Sequence, residues 1–225
     1  MAARDEAESE SSRSRSGSGN NLRSVANLAV LASLIVAWFF VIQRFGEGNV
    51  YAVLGPFACA VSLVSVVLYP RATATWLRPT PRAIAIGLGF GVAMTALTYP
   101  VFHVVSALIP SLDAQVAGLY HGARSTTLPK ALTWVVAIIL AEELLFRGAW
   151  PAALQRFCGE RAAYAISLVL YSLAQYGTGS WIVMLMALVC GTVWTAQRLW
   201  TGSLLSPLIS HLIWSPTVIL LYPVT

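Results

Sequence analysis

After residue 24 the chain is a succession of apolar stretches, and their length limits what it can fold into. A helix needs about 20 apolar residues to cross the hydrocarbon of a bilayer. Seven segments approach that length: Val25 to Ile42, Val50 to Tyr69, Ala83 to Ile109, Ala131 to Trp150, Ala162 to Tyr176, Trp181 to Gln197 and Leu204 to Leu221. The third is long enough to tilt or break and holds Pro100. The linker from Pro110 to Lys130 has room for a short interfacial helix. The expected fold is all-α: a polytopic transmembrane bundle of about seven spans, within a range of six to eight.

Charged residues make up 10% of the 225, against about 25% in an ordinary soluble domain. The deficit recurs along the whole apolar region, so residues 25–225 read as one membrane bundle with no room for a soluble domain. Residues 1–24, MAARDEAESESSRSRSGSGNNLRS, are rich in Ser, Arg and Glu. They are expected to form a disordered cytosolic tail, too polar to order itself. They lack the apolar core and small-residue cleavage site of a signal peptide.

The net charge of +5 is spread over interhelical loops rather than gathered on one face, which argues against a nucleic-acid partner. Its use is in topology. With the N-terminus in the cytosol, Arg4, Arg13, Arg15, Arg23, Arg71, Arg78, Arg82, Arg156, Arg161 and Arg198 lie inside. Only Arg44, Arg124 and Lys130 then lie outside, the arrangement that the positive-inside rule favours. Arg is 13 of the 14 basic residues, which hints at a GC-rich bacterial genome and so at a bacterial plasma membrane. Trp76, Trp150, Trp181 and Trp200 fall near span ends, where indoles prefer the interface. Gly87 and Gly91 form a GxxxG pair that lets a neighbouring helix approach closely. Cys59, Cys158 and Cys190 match no zinc spacing and read as small buried hydrophobes.

Chemistry enters with Glu142 and Glu143, the acidic residues placed inside an apolar segment, ALTWVVAIILAEELLFRGAW. A charge in lipid is costly and is rarely kept there without a task. Adjacent residues on a helix point about 100° apart, so the two carboxylates are expected to do different work. Glu143 and Arg147 are four apart on one face, in the favourable order for an internal ion pair. Glu142 is then free to face the bundle interior as a general base for a bound water. Further along, Tyr171 with Gln175, and His211 with Ser215, repeat the same one-turn spacing on two other helices. His103 and His121 have no such company and read as structural or loop residues. The bland reading of Glu142 is a hydrogen bond to a neighbouring helix, and that of His211 is a satisfied packing residue.

AEELLFRG, then an aromatic-x-x-x-polar helix, then TGSLLSPLISH, resembles the CPBP family of intramembrane proteases over about Leu128 to Ser215. That family includes the type II CAAX prenyl endopeptidases and the bacterial Abi-type proteins. The resemblance implies a helical bundle whose polar residues converge on a cavity facing the cytosol. By position, Glu142 matches the glutamate that activates the attacking water, and Glu143 and Arg147 match the rest of the first motif. His211 matches the histidine of the last motif, which can help stabilise an oxyanion.

Two positions depart from the pattern. The second motif, Phe-x-x-x-His, is here Tyr171 and Gln175, and the Asn or Asp that follows the last motif is Ser215. An amide is a poor zinc donor, so no metal or other cofactor is expected. A metal-free glutamate mechanism survives the changes, with Gln175 orienting the water and Ser215 donating to a developing oxyanion. The expected function is hydrolysis of a peptide bond in a membrane-associated protein or peptide. Prenylated CAAX substrates are disfavoured for a bacterial chain. The competing reading is an inactive relative that holds a partner membrane protein, since Gln cannot take up a proton as His can. A small transporter or proton relay is a third, with no inverted repeat to support it.

Overall fold

The computed structural model describes residues 2–45, 50–109, 111–113, 116–117, 120 and 126–224, with side chains from Ser24 onward, Val50 excepted. These residues form helices and their connecting turns, and no strand occurs among them. The elements are α1 (Ala2–Phe45), α2 (Val50–Leu68), α3 (Pro70–Trp76), α4 (Pro81–Leu108), α5 (Leu128–Glu142), a π-helical turn (Glu143–Ala149), α6 (Trp150–Cys158), α7 (Glu160–Gln175), α8 (Trp181–Thr201) and α9 (Leu205–Pro216). A short 3₁₀ turn (Tyr176–Thr178) follows α7, and a second π turn (Thr217–Leu221) follows α9.

All seven apolar segments are helical. Among the described residues four helices are long and apolar enough to cross a bilayer: Ser24–Phe45 within α1, Tyr51–Leu68 of α2, α4 and α8. The remaining three depend on neighbours. The Glu-bearing segment is α5 continued by the π turn, α7 has 16 residues and opens on Glu160 and Arg161, and α9 has 12 before its π turn. α4 continues through Pro100 without a break in helical assignment. Residues 2–23, expected to be disordered, are instead helical and continue α1, and their side chains lie outside the described residues. Ten of the 21 residues of the Pro110 to Lys130 linker, His121 and Arg124 among them, also lie outside the described residues.

The outward face is apolar. On α4, Val92, Leu97, Val101, Val104 and Leu108 are all more than half exposed. A soluble protein seldom shows so continuous an apolar surface, whereas lipid accepts it. Inside, Trp38 of α1 packs on Phe57 of α2 and edge-on against Phe146 of the π turn. These three rings centre a core that reaches from α1 to α8.

Close helix approach rests on glycine. A Cβ on Gly87 would lie 2.7 Å from the Ser206 carbonyl oxygen and 2.9 Å from Ile209 Cβ. One on Gly91 would lie 3.1 Å from the Ser210 Cα and 2.8 Å from Ile213 Cδ1. The GxxxG pair therefore seats α9, the helix that carries His211. On α2, Gly55 makes the same kind of room for the Trp134 ring of α5, with a Cβ position 2.4 Å from it.

Two interface expectations need correction. Trp150 is buried at 7% exposure, because it packs into the core rather than facing the headgroups, while Trp181 and Trp200 are exposed. Of the cysteines only Cys190 is buried; Cys59 and Cys158 are exposed and all three are free thiols. Cys59 lies on an outward-facing part of α2, where a thiol needs no burial to be accommodated.

Candidate active site

Pro151 shapes the helix that carries the carboxylates. Proline has no N–H to give the carbonyl four residues back, and its ring crowds that carbonyl. The chain answers with the π turn, in which the Trp150 N–H bonds the Leu145 carbonyl, five residues back. The carbonyls of Phe146 and Arg147 are then without helical donors. Other helices supply them: Ser167 Oγ donates to the Phe146 oxygen, while Tyr164 OH (3.4 Å) and Arg198 Nε (3.3 Å) donate to that of Arg147. Single π turns inside helices recur at functional sites.

α7 runs antiparallel to this segment and presents one polar stripe to it. Tyr164, Ser167, Tyr171 and Gln175 follow at spacings of three, four and four, which is one helix face. The first two hold the π turn. The last two reach Glu142: Tyr171 OH donates to Oε2 at 3.1 Å and Gln175 Nε2 donates to Oε1 at 2.6 Å. Both carboxylate oxygens are thus engaged, and Glu142 is 5% exposed.

Glu143 faces another way. Its Oε1 accepts from Arg147 Nη1 at 3.3 Å, the expected one-turn pair, and both residues are 1% exposed. The pair is single-stranded, since Glu143 Oε2 and Arg147 Nη2 have no partner among the described residues. The guanidinium lies 4.1 Å from the Tyr171 ring centroid and 5.4 Å from that of Trp194. A Cβ on Gly191 would lie 3.0 Å from Arg147 Nη2, so glycine on α8 leaves the guanidinium its space.

His211 joins the two carboxylates. Its Nδ1 lies 2.9 Å from Glu143 Oε1 and its Nε2 lies 3.7 Å from Glu142 Oε2. Trp194 stacks on the imidazole with centroids 3.6 Å apart and planes 21° from parallel. The expectation that the carboxylates serve different partners therefore holds for Tyr171 and Gln175 against Arg147, but both meet at the same ring. Ser215 is buried one turn beyond His211 and makes no hydrogen bond to the carboxylates or the imidazole. His103 is exposed on α4, away from this centre.

The structure thus gathers Glu142, Glu143, Arg147, Gln175 and His211 into one contact network and leaves Ser215 beside it. Sequence reasoning missed Trp194 and Arg198, whose parts depend on how α8 crosses its neighbours. It also left Tyr164 and Ser167 unread, although they share the face and spacing of Tyr171 and Gln175. The groups close on one another; Gln175 is the partly exposed member of the set. A separate cavity of about 410 Å³ lies elsewhere, between the middle of α1, the C-terminal end of α2 and α6, lined by Ser24, Asn27, Tyr69, Ala153 and Arg156.

Catalytic zinc takes three N, O or S donors from the protein and keeps a fourth place for water. Here both Glu142 oxygens accept hydrogen bonds, the neighbouring amide turns its N–H toward one of them, and His211 Nδ1 is held by Glu143. Among the described residues no group of three or more His, Cys, Asp or Glu side chains could hold a metal ion.

Comparison with known proteins places this geometry. No curated protein and no solved structure gives a significant match. A family does: residues 124–216, which contain every side chain of the network, match the family described as type II CAAX prenyl endopeptidase Rce1-like. Over that stretch the chain is similar to this family, a branch of the CPBP membrane proteases.

Proposed function

We propose that the chain is a CPBP-type intramembrane endopeptidase. It hydrolyses a peptide bond in a membrane-associated protein or peptide through a water activated by Glu142. The family match supports a CAAX-type membrane-protease kind of function. The observation that carries the finer reading is the convergence of Glu142, Gln175 and His211 from three helices at contact distance. Such a set has a carboxylate to accept the water's proton, an amide to orient it and an imidazole beside both. No step is routed through a metal. The bundle is read as a multi-pass plasma-membrane protein with a cytosolic N-terminus. Arg82, stacked on Trp200, and Arg198, over Trp76, lie near one another at one end of it, in keeping with a basic inner face.

A second reading has its own support. Gln175 stands where a proton-accepting histidine is expected, and both Glu142 oxygens are already hydrogen-bonded in a site that is 5% exposed. An inactive relative that binds a partner membrane protein would tolerate both features.

Glu142→Gln separates the two, because it removes the base and keeps the shape. Mass-spectrometric mapping of peptide termini in membranes carrying the chain or this variant is the measurement. New termini that vanish with Glu142→Gln support the peptidase. Termini unchanged by the variant overturn it.

A further inference from the structure

We infer that Glu143 sets the tautomer of His211, so that His211 is the proton carrier of the reaction, the part that Gln175 cannot play. The inference rests on the peptidase reading for its chemistry, but its structural half stands alone.

Glu143 Oε1 already accepts from the Arg147 guanidinium, which has donors only. The atom facing it at 2.9 Å is His211 Nδ1, so Nδ1 carries the hydrogen and donates. A neutral imidazole has one N–H, and the lone pair therefore sits on Nε2. That nitrogen faces Glu142 Oε2 at 3.7 Å, too far for a direct hydrogen bond. A water standing off the line between them can touch both. Trp194, stacked on the ring, keeps the imidazole in this orientation. A carboxylate fixing Nδ1–H so that Nε2 works is the orienting arrangement of many catalytic histidines.

The proton then has a complete route. Glu142 takes a proton from water, and the oxygen forms its bond to the peptide carbonyl carbon. Through a second water between them Glu142 passes that proton to His211 Nε2, giving an imidazolium whose charge Glu143 balances. Nε2–H now points at the reacting centre and can also support the oxyanion. As the C–N bond breaks, Nε2 gives its proton to the leaving amine, and the new carboxylic acid loses its own to bulk water. Glu142 ends ionised and His211 neutral, as they began. Gln175 holds Glu142 throughout and exchanges nothing.

The test is nitrogen-15 NMR of the full chain in lipid nanodiscs, labelled at histidine, with His103 and His121 replaced by Gln so that His211 alone reports. The expected spectrum has a protonated Nδ1 and an unprotonated Nε2. Glu143→Leu should exchange the two signals, because no acceptor then faces Nδ1 and the hydrogen moves to Nε2, whereas Glu143→Gln should not, since its amide oxygen still accepts from Arg147 and Nδ1. A hydrogen on Nε2 in the unsubstituted site, or on both nitrogens, overturns the proposal. That spectrum decides even if Glu143→Leu fails to fold.

Terminus mapping in the same backgrounds distinguishes the two levels. Cleavage lost in Glu142→Gln, with an unmoved tautomer in Glu143→Leu, sinks the relay and leaves the peptidase reading. A tautomer that switches in a chain that cleaves nothing overturns that reading and, with it, the relay.

Discussion

Gln175 Nε2 lies 2.6 Å from Glu142 Oε1, closer than any other polar contact made by either carboxylate. An amide there can donate but cannot receive a proton, so the contact fixes Glu142 without relieving it. Histidine at the same position would donate from one nitrogen and accept at the other. Gln175→His is expected to raise the rate of peptide cleavage by about 100-fold or more, the range for an added acid–base group. The measurement is the yield of the termini that depend on Glu142. An unchanged or lower yield would mean that the amide is already the working group.

The π turn depends on three borrowed donors. Ser167→Ala leaves the Phe146 carbonyl buried without a partner, and Tyr164→Phe weakens the satisfaction of Arg147's. Each should destabilise the bundle by about 1–3 kcal/mol, the usual range for a stranded buried polar group. Resistance to unfolding in mixed detergent is the readout. Thr192→Ala, whose hydroxyl bonds only its own helix on an exposed face, is the control and should change little.

The Glu143–Arg147 pair is the second test of stability. Arg147→Met strands a carboxylate that is 1% exposed, and breaking a buried pair this way costs about 3–5 kcal/mol. Arg147→Lys should recover little of that loss. An ammonium is a point charge and cannot lie flat against Tyr171, whose ring centroid is 4.1 Å from the guanidinium carbon. Full recovery by lysine would show that charge alone matters. Glu143→Gln with Arg147→Met should be milder than the Arg147 change by itself, a coupling that a double-mutant cycle measures.

Gly87 and Gly91 can be tested without touching any polar group. Gly91→Val must push against Ser210 Cα and Ile213 of α9, and overpacking of this kind costs about 1–3 kcal/mol. Because the same helix carries His211, cleavage should fall further than stability does. Gly89→Ala, with nothing within 4 Å of its Cβ position, should be neutral or slightly stabilising. Equal effects at the two glycines would remove the argument that α9 is seated by close approach.

Part of this centre was readable before any coordinates. The Glu143–Arg147 pair follows from spacing four on a helix, and so does the shared face of Tyr171 and Gln175, because helical geometry is local. The meeting of His211 with both carboxylates is not local. It depends on where α9 crosses the π turn, and that depends on a glycine pair whose partner helix the sequence does not name. Gly87 and Gly91 read only as a packing feature, yet they place the imidazole. Pro151 was the one visible sign of the π turn. It sits one residue past a segment that otherwise reads as uninterrupted helix, so its effect on the preceding carbonyls was easy to pass over. Trp194 gave no signal at all, since a tryptophan in an apolar span is ordinary until its ring is found on a histidine.

The wide turn between Glu142 and Trp150 also separates two rotational settings along a single rod. In an unbroken α-helix, the azimuth of Glu142 would dictate which way α6 presents Ala153 and Leu154 to the core. One surplus residue in the coil lets each half take its own heading. Deleting one residue between Leu144 and Gly148 would close the coil to an ordinary helix with both ends keeping their headings, and what would go is the outward reach of the Phe146 and Arg147 carbonyls to their borrowed donors.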